Sequence, residues 1–261
     1  MRHILSWSGG KDSTASVLLA HLHGEPLDEI IYCEPMYDLE KGISAELPQQ
    51  ERFVQKAKRI FEEEFGYKVT ILRSDRDYQW CFHHMIDSSR CKIEEHKGKR
   101  YGFPVAGRCG MQREAKLRPI NGYIRSLGPV IQYIGIAVDE PKRLVSMHRS
   151  ERHISLLEKY GYTEQMCYEL CEKYGLLAPM YEIFGVSQKR NGCWFCPWAK
   201  PIEQAAFAIE KPRVWEEFVS LETKLADDVA YGRWNCFQSL AMRDFEVKEI
   251  VRELKKRGVS K

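Results

Sequence analysis

The chain has 261 residues, of which 44% are hydrophobic, and its 40 Lys and Arg residues are nearly balanced by 37 Asp and Glu residues. This length and apolar content predict one large domain, or one domain with a small appendage, around a sizeable core. A formal net charge of +3 excludes a strongly basic nucleic-acid binder on composition alone. No apolar run reaches the roughly 18 residues that a membrane helix needs, and the chain opens without a signal-peptide pattern. We therefore expect a cytoplasmic protein with no membrane partner.

The first predicted elements are a strand at 3–7 and a helix at 14–22, joined by a glycine-rich turn. The turn consists of Ser8, Gly9, Gly10, Lys11, Asp12 and Ser13. Two glycines allow backbone N–H groups to converge on an anion, and the helix that follows adds the positive end of its dipole. Lys11 adds a full charge, and the serines add hydroxyl donors. The pattern predicts a nucleotide-phosphate site; the alternative is an ordinary strand-to-helix turn.

Further strand patterns follow at 30–33, 68–72 and 130–138, and a helix is predicted at 49–65. The strand at 130–138 is unusually apolar, which is typical of a central position in a parallel sheet. Strands that alternate with helices predict an α/β fold with a doubly wound parallel sheet over roughly residues 1–150. Ligands of such sheets bind outside the carboxyl ends of the strands, where the turn at Ser8 lies.

The rest of the chain is predicted to be helical and to contain no strands. Helices are predicted at 163–174, 201–210, 212–228 and 243–257. The basic and aromatic stretch 97–104 is predicted to be a loop, which either contacts a single nucleic-acid strand or is merely exposed. We therefore predict a nucleotide-binding domain at 1–150 and a helical, cysteine-bearing region at 151–261.

Nine cysteines, an odd number, are interpreted as thiols, metal ligands or catalytic groups of a cytosolic chain rather than as a disulfide framework. Cys193 and Cys196 form a C-x-x-C turn that brings two sulfurs to one centre. The neighbouring residues Trp194, Phe195 and Trp198 are expected to dry the surroundings, as suits a metal or an iron–sulfur cluster. A redox dithiol and an inert buried pair are the alternatives.

Cys109 is the best candidate for a further ligand, and Cys236 is a weaker candidate. Cys167 and Cys171 are expected to pack in a core. Basic residues lie around Cys109 and after the fourth strand. They are Arg108, Arg113, Lys116, Arg118, Arg143, His148 and Arg149. Because arginine forks match phosphate and sulfate, these side chains are predicted to bind a nucleotide or an anionic acceptor. A solvated charged surface is the alternative.

The turn has the pattern S-G-G-x-D-S, and with it the chain resembles the PAPS reductase-like family of the PP-loop ATP pyrophosphatase (adenine nucleotide alpha-hydrolase) superfamily. The other matching pieces are Glu46-Leu47-Pro48 ahead of Phe53, Cys109 ahead of Lys116 and Pro119, the C-x-x-C turn, and Gly232-Arg233-Trp234. These pieces occur in the family's order and span most of the chain.

Two departures from the family pattern affect the expected activity. The adenylylsulfate reductase branch of this family, which carries an iron–sulfur cluster, has two adjacent cysteines in the first cysteine block. In this chain Gly110 follows Cys109 instead. The family's reductases carry a C-terminal E-C-G-x-H nucleophile that residues 257–261 do not contain. Three thiolates with an open position also resemble cluster-dependent relatives that transfer sulfur to tRNA or DNA.

The resemblance implies a HUP/PP-loop fold and chemistry at the α-phosphate of ATP or another adenine nucleotide, with Mg²⁺ on the phosphates. Catalytic roles are expected at Lys11, Asp12 and Lys116. Besides the turn, nucleotide contacts are expected at Gly135, Asp139, Arg113 and Arg143. An iron–sulfur cluster, or zinc as the alternative, is expected on Cys109, Cys193, Cys196 and Cys236.

The leading hypothesis is an enzyme that adenylates an acceptor and then transfers sulfur to it. One alternative is a sulfonucleotide reductase; another is a non-catalytic module that binds a nucleotide or a nucleic acid and holds a structural zinc. The expected partners are a small-molecule nucleotide, a tRNA or DNA acceptor, a sulfur donor or reductant protein, and a second copy of the chain.

Overall fold

The computed structural model describes residues 1–89, 91–104, 109–188, 192–225 and 228–259. Their contacts divide the chain into two compact units, each made of three segments. Unit 1 consists of Met1–Cys33, Gln49–Leu72 and Pro119–Asn191, and unit 2 consists of Glu34–Pro48, Arg73–Arg118 and Gly192–Lys261. This interleaved division differs from a single boundary at residue 150.

Helices and strands both occur along the whole chain. The helices are α1 (Lys11–His23), α2 (Pro48–Glu63), α3 (Tyr78–His83), α4 (Arg118–Ser126), α5 (Pro141–Met147), α6 (Leu156–Lys159), α7 (Glu164–Lys173), α8 (Pro201–Glu210), α9 (Pro212–Thr223) and α10 (Leu240–Lys256), with a π-helical turn at Gln112–Leu117 and 3-10 turns at Glu94–His96 and Pro179–Tyr181. The strands are β1 (Arg2–Trp7), β2 (Glu29–Glu34), β3 (Met36–Asp38), β4 (Ile43–Ser44), β5 (Lys68–Arg73), β6 (Arg100–Gly102), β7 (Val130–Tyr133), β8 (His153–Ile154), β9 (Glu182–Ile183), β10 (Val186–Ser187) and β11 (Val229–Tyr231).

Unit 1 is built on a five-stranded sheet in the order β5-β2-β1-β7-β8. Strand β1 is central and pairs in parallel with β2 on one side and β7 on the other, and β8 continues the sheet in parallel beyond β7. Counted along the chain within this sheet, the order is 3-2-1-4-5, which is that of a doubly wound fold. The predicted α/β class and parallel sheet are therefore confirmed. The order reverses between β1 and β7, and a ligand crevice is expected at their carboxyl ends.

Helix α1 is enclosed along most of its length, because every residue from Ser13 to Ala20 is buried. Between Ser13 and Ala20 it presents no face to solvent, and α7 packs along it. The helix ends at Gly24, whose φ of 63° closes the last turn in a conformation that glycine adopts without strain. The start of α1 is therefore held rigidly at the carboxyl end of β1.

Unit 2 has an aromatic core. Trp194 stacks on Phe207 with ring centroids 3.9 Å apart, and Tyr37, Tyr78 and Phe195 pack in the same group of rings. Helix α10 packs against α8 and α9. Two short pairings, β3 with β4 and β6 with β11, complete the regular structure described for this unit.

Several predicted boundaries need correction. The strand predicted at 130–138 ends at Tyr133, because the chain beyond it turns across the start of α1 at Gly135. The prediction of no strands after residue 150 is wrong, since β8, β9, β10 and β11 lie there. The stretch 97–104 is not wholly a loop, because its centre forms β6.

The predicted helices of the second half are present, and only two of their ends differ from the prediction by more than one residue. Helix α9 ends at Thr223 rather than 228, and α10 begins at Leu240, where the hydroxyl of Ser239 accepts the N–H of Met242 as a cap. Among the described residues, no helix combines the length and the apolar character needed to cross a membrane.

Candidate functional site

The predicted phosphate turn lies between the end of β1 at Trp7 and the start of α1 at Lys11. Gly9 has a φ of 74°, and a Cβ atom built there would lie 2.5 Å from Nε2 of Gln50. That Nε2 donates to the carbonyl of Gly9 at 3.2 Å, and Gln50 is fully buried. Glycine is therefore required at this position for two reasons, the backbone conformation and the side chain packed against it.

The two serines bond to each other across the turn. Oγ of Ser8 and Oγ of Ser13 are 3.0 Å apart, and the backbone N–H of Ser8 donates to Oγ of Ser13 at 3.1 Å. The hydroxyl of Ser13 also donates to the carbonyl of Gly10 at 3.1 Å. The serine hydroxyls thus hold the turn in shape by contacts within the turn itself.

Gly135 approaches the same turn from β7. A Cβ atom at Gly135 would lie 2.8 Å from the backbone nitrogen of Ser13 and 2.9 Å from the carbonyl carbon of Asp12. The carboxyl ends of β1 and β7 therefore meet at the point where the strand order reverses, which is the place for a ligand in this topology. The structure brings Gly135 to the loop. The nucleotide contact predicted at Gly135 stays a prediction.

Lys11 is held by two carboxylates. Its Nζ lies 2.8 Å from Oδ1 of Asp12 and 3.0 Å from Oε2 of Glu164, the first residue of α7. Burial alone would lower the pKa of Lys11, but these hydrogen bonds raise it, so the ammonium keeps its proton. Asp139 belongs to the same network, because its carboxylate accepts the backbone N–H of Glu164 at 3.1 Å.

Tyr181 lies far from α1 in sequence but contacts the first turn of this helix. Its hydroxyl accepts the backbone N–H of Lys11 at 2.9 Å, one of the N–H groups that a helix start leaves without an internal partner. Burial of Tyr181 raises the pKa of its phenol, so it stays neutral at physiological pH.

Two buried thiols of α7 also reach the turn. The Sγ atom of Cys171 donates to the carbonyl of Lys11 at 3.3 Å, and Cys167 interacts with the carboxylate of Asp12. Burial raises the pKa of Cys171 to about 12, so this thiol is neutral. The predicted core position of both cysteines is confirmed, and they contact the glycine-rich turn from α7.

Burial raises the pKa of the Asp12 carboxyl, and this outweighs the lowering effect of its hydrogen bond to Lys11.

Arg143 pairs with Glu140 in the first turn of its own helix, and its side chain is 58% exposed. His148 lies within hydrogen-bond distance of Glu158, at 2.8 Å. The nucleotide contact predicted at Arg143 stays a prediction.

The C-x-x-C turn is anchored in unit 2 by its aromatic residues. Trp194 donates from its backbone to Ala45 and from its ring to Ser44, both at 3.0 Å, and the ring N–H of Trp234 donates to the carbonyl of Phe195 at 2.7 Å. Trp194 and Phe195 are buried, but Trp198 is 68% exposed, so the expected drying by Trp198 is wrong.

The predicted thiol ligands of unit 2 are only partly brought together. Cys109, Cys193 and Cys196 lie close enough to influence one another electrostatically, and Lys116 stabilises the thiolate forms of Cys109 and Cys193. Burial raises the pKa of Cys193 to about 12. Across the described residues, however, no group of three or more His, Cys, Asp or Glu side chains is arranged to hold a metal ion.

Cys236 is exposed, and no described contact joins it to the other thiols. Cysteine thiolates are suitable ligands for an iron–sulfur cluster or for zinc. Among the described residues, however, these thiols are not arranged as a complete metal site. The metal prediction for Cys109, Cys193, Cys196 and Cys236 therefore stays a prediction.

The described residues of unit 2 that were predicted to bind an anion lie beside carboxylates. Arg113 and Arg76 both bond Glu114 at 2.7 Å, Arg118 pairs with Asp75, and Nζ of Lys116 lies 3.8 Å from the buried Glu46. Arg108 lies outside the described residues. An anionic ligand at these arginines would have to compete with carboxylates that already bind them.

Sequence reasoning missed Gln50, Glu164, Tyr181 and Gln188 as residues around the turn. Each comes from a segment far from the turn in sequence, and no local motif marks it. Only the packing of α2, α7 and the segment near β10 onto unit 1 makes them neighbours of the turn.

No family model matches this chain, and no curated protein matches it. The solved structures that resemble it include that of the U34-tRNA thiolase NcsA from Methanococcus maripaludis with its 4Fe-4S cluster. The TM-score is 0.42 and the sequence identity 14%, over 98% of this chain and 72% of that chain. This likeness is too low to assign a fold or a function, so the function has to be inferred from the chain's own residues.

Proposed function

We propose that the chain is an adenine-nucleotide-using enzyme of the PP-loop superfamily, which activates an acceptor by adenylation and passes sulfur to it. The observation that carries the proposal is the turn at Gly9, pre-shaped by its serines and lying where the strand order reverses beside Gly135. Such a turn ahead of a helix start suits phosphate groups.

Lys11 would stabilise charge that develops on the phosphates during transfer. Asp12 and Glu164 stand beside it, and these carboxylates would repel a bare nucleoside triphosphate. Mg²⁺ bound with the nucleotide would offset this repulsion, and Asp12 is the proposed carboxylate for it. Gly135 and Asp139 are proposed to line the nucleotide site, with Arg113 and Arg143 as further proposed contacts.

The sulfur-handling part of the proposal involves unit 2. Cys109, Cys193 and Cys196 would hold an iron–sulfur cluster, or zinc in the non-catalytic alternative, and Lys116 would favour the thiolate forms of Cys109 and Cys193. A cluster with an open position would supply a site that carries sulfide. The proposed acceptor is a tRNA or a DNA strand, and reduction of a sulfonucleotide is the alternative reaction.

Replacing Lys11 with Ala tests the nucleotide site. We expect the affinity for ATP with Mg²⁺ to fall at least about tenfold, because Asp12 and Glu164 remain without their cation. Calorimetric titration measures the affinity, and a thermal melt reports the fold. The matched control is Lys58→Ala on α2, where the lysine pairs with Glu62 and the affinity should be unchanged. Equal affinity of the Lys11→Ala and unsubstituted chains would contradict the assignment of the turn.

Pyrophosphate release separates an enzyme from a nucleotide sensor. With ATP, Mg²⁺ and an accepted tRNA or DNA strand, an adenylating enzyme releases pyrophosphate, whereas a sensor binds the nucleotide and releases none. A screen of acceptor pools with an enzymatic pyrophosphate assay makes the comparison, and Lys11→Ala supplies the background rate.

Metal content tests the thiols of unit 2. Chain purified without oxygen is analysed for iron, sulfide and zinc, together with Cys193→Ser and the control Cys91→Ser. We expect Cys193→Ser to lose the metal and Cys91→Ser to keep it, because Cys91 lies outside the predicted ligand set. Iron with sulfide favours sulfur transfer, and zinc alone favours a structural site. Full retention of metal in Cys193→Ser would mean that the C-x-x-C turn serves only packing.

A further inference from the structure

Four large apolar side chains of unit 2 are exposed near the C-x-x-C turn and form what we call the aromatic patch. They are Trp198 (68% exposed), Phe237 (84%), Met242 (61%) and Phe245 (66%). Single exposed apolar residues are common on protein surfaces, whereas a group of them marks a binding surface. The phosphate turn lies in unit 1 and the proposed metal ligands are cysteines, so the function proposed above gives the patch no role.

Hydrogen bonds hold together the three segments that carry the patch. The side-chain amide of Asn235 donates to the carbonyl of Pro197 at 3.4 Å. The guanidinium of Arg243 donates to the carbonyl of Ala199 at 2.8 Å and to the side-chain carbonyl of Gln238 at 3.0 Å. The end of the C-x-x-C turn, the loop before α10 and the first turns of α10 therefore lie side by side.

The rings of the patch have uncovered faces. Among the described residues, no other ring packs on Trp198, Phe237 or Phe245. Met242 and Phe245 are three residues apart on α10, so they lie on the same face of that helix. A ring with an uncovered face can stack on a planar group, and each nucleobase of an unpaired strand offers such a group.

The charges beside the patch favour an anionic partner. Arg233 is exposed in the same loop as the patch, and no described carboxylate pairs with it. Residues 233–248 contain two carboxylates, and cations already bind both of them. Asp244 pairs with Lys248 at 2.6 Å, and Glu246 lies 3.3 Å from Arg243. A phosphate group at the patch would therefore meet an uncompensated cation rather than a free carboxylate.

The patch is small for an interface between two proteins. Since a whole aromatic side chain buries about 150–250 Å², the exposed parts of the four members sum to roughly 500 Å². A stable protein complex buries about 800 Å² on each partner. Aromatic rings beside an arginine are instead the composition of sites that bind single nucleic-acid strands.

We propose that the aromatic patch binds an unpaired nucleic-acid strand, whose bases stack on Trp198, Phe237 and Phe245 and whose phosphates lie near Arg233. The inference rests on the proposed function for the role of that strand as the acceptor. It deepens that function, because it makes the acceptor a single strand rather than a duplex. The bases of a duplex are stacked on one another, so their faces are not available to the rings.

Strand binding is tested on the unsubstituted chain without ATP. Fluorescence anisotropy follows labelled oligouridylate and oligothymidylate of about 12 nucleotides, a length typical of single-strand sites, and a DNA duplex of the same length. We expect at least one of the two single strands to bind at least about fivefold more tightly than the duplex, the worth of about one stacked base. The stronger of the two single strands identifies RNA or DNA. Equal or tighter binding of the duplex, or no binding of either single strand, overturns the proposal.

Substitutions then locate the contact and separate stacking from general apolar contact. Trp198→Leu and Phe237→Leu should each weaken strand binding at least about fivefold, whereas Trp198→Phe keeps a ring and should change it less than about twofold. Met85→Leu is the control, because Met85 is an exposed apolar residue of unit 2 outside the patch. All four side-chain changes are at exposed positions, so thermal melts should agree. Unchanged affinity in both Trp198→Leu and Phe237→Leu overturns the assignment of the patch.

Sedimentation tests whether a second copy of the chain covers the patch instead. We expect the unsubstituted chain and Phe237→Asp to have the same oligomeric state. A dimer that Phe237→Asp dissociates would assign the patch to self-association and overturn the proposal.

The ATP titration of Lys11→Ala is independent of these measurements. Strand binding at the patch without any affinity for ATP would refute the proposed function alone. Specific ATP binding without strand binding at the patch would refute this inference alone.

Discussion

Gly9 allows backbone strain and packing to be separated experimentally. Gly9 and Gly66 both have a φ of 74°, but a Cβ atom at Gly9 would meet Gln50, whereas one at Gly66 would meet nothing within 4 Å. The backbone strain of an alanine is therefore similar at the two sites, about 1–2 kcal/mol. Only the substitution at Gly9 adds a collision with a buried side chain.

We expect Gly9→Ala to lower the free energy of unfolding by clearly more than Gly66→Ala, and to weaken ATP binding as the turn shifts. Chemical denaturation gives the stabilities, and calorimetry gives the affinity. Equal destabilisation by the two substitutions would show that Gln50 yields to the new methyl group at no cost.

Glu29 of β2 is a carboxylate that is 0% exposed and joins several elements of unit 1. It bonds Arg2 of β1 at 2.7 Å, Lys68 of β5 at 2.7 Å and the hydroxyl of Tyr123 of α4 at 2.7 Å, and Thr70 of β5 also donates to it. Burial raises its pKa, but the hydrogen bonds from Lys68, Thr70 and Tyr123 outweigh this and hold the pKa below its ordinary value of 4.5.

A depressed carboxyl pKa stabilises the fold at pH values above the unfolded-state value and loses that stabilisation as the pH falls through the folded-state value. We therefore expect acidification below about pH 4.5 to destabilise the unsubstituted chain more than Glu29→Gln. At pH 7 we expect Glu29→Gln to be less stable by about 1–3 kcal/mol, since the bonds to charged partners weaken.

Urea titrations across pH 7 to pH 3.5 measure both effects. Glu62→Gln is the control, because Glu62 pairs with Lys58 at the surface of α2 and such pairs contribute about 0–1 kcal/mol. An identical pH dependence of Glu29→Gln and the unsubstituted chain would show that Glu29 titrates no differently in the folded and unfolded states.

Local patterns predicted the long elements well and the short strands poorly. Helix α8 has the predicted bounds, because Pro201 starts it and its apolar spacing continues to residue 210. Strands β8 and β6 are two or three residues long and depend on pairing with β7 and β11. No local hydrophobic period exists over so few residues, so only the assembled chain defines them.

The same distinction explains the outcome at the site. The turn from Ser8 to Ser13 is contiguous and has a motif, so its position at the end of β1 was predictable. Glu164, Tyr181 and Gln188 surround it only after the chain has folded, more than a hundred residues further along. The spacing of the thiols depends in the same way on side-chain packing, which a C-x-x-C motif does not specify.

The interleaved units predict which fragments of the chain can fold by themselves. Unit 1 needs residues 151–191, because α7 buries Cys167, Leu170 and Cys171 against its core and β8 lies at the edge of its sheet. We expect a fragment of residues 1–150 to lack a cooperative thermal transition. A fragment of residues 1–191 should retain protected amide hydrogens in β1 and β2 by hydrogen exchange. Cooperative unfolding of the shorter fragment would instead support a domain boundary near 150.

The hydroxyl of Tyr181 accepts the first N–H group of α1, the group that a phosphate oxygen would use in the proposed nucleotide site. In that proposed site the hydroxyl would act as a placeholder, and the turn would already be ordered when the nucleotide binds. Binding at this N–H then becomes an exchange of one oxygen for another, with the phenol swinging aside. Nucleotide occupancy would thus be reported by the ring of Tyr181, whose NMR resonances should move before any chemistry takes place.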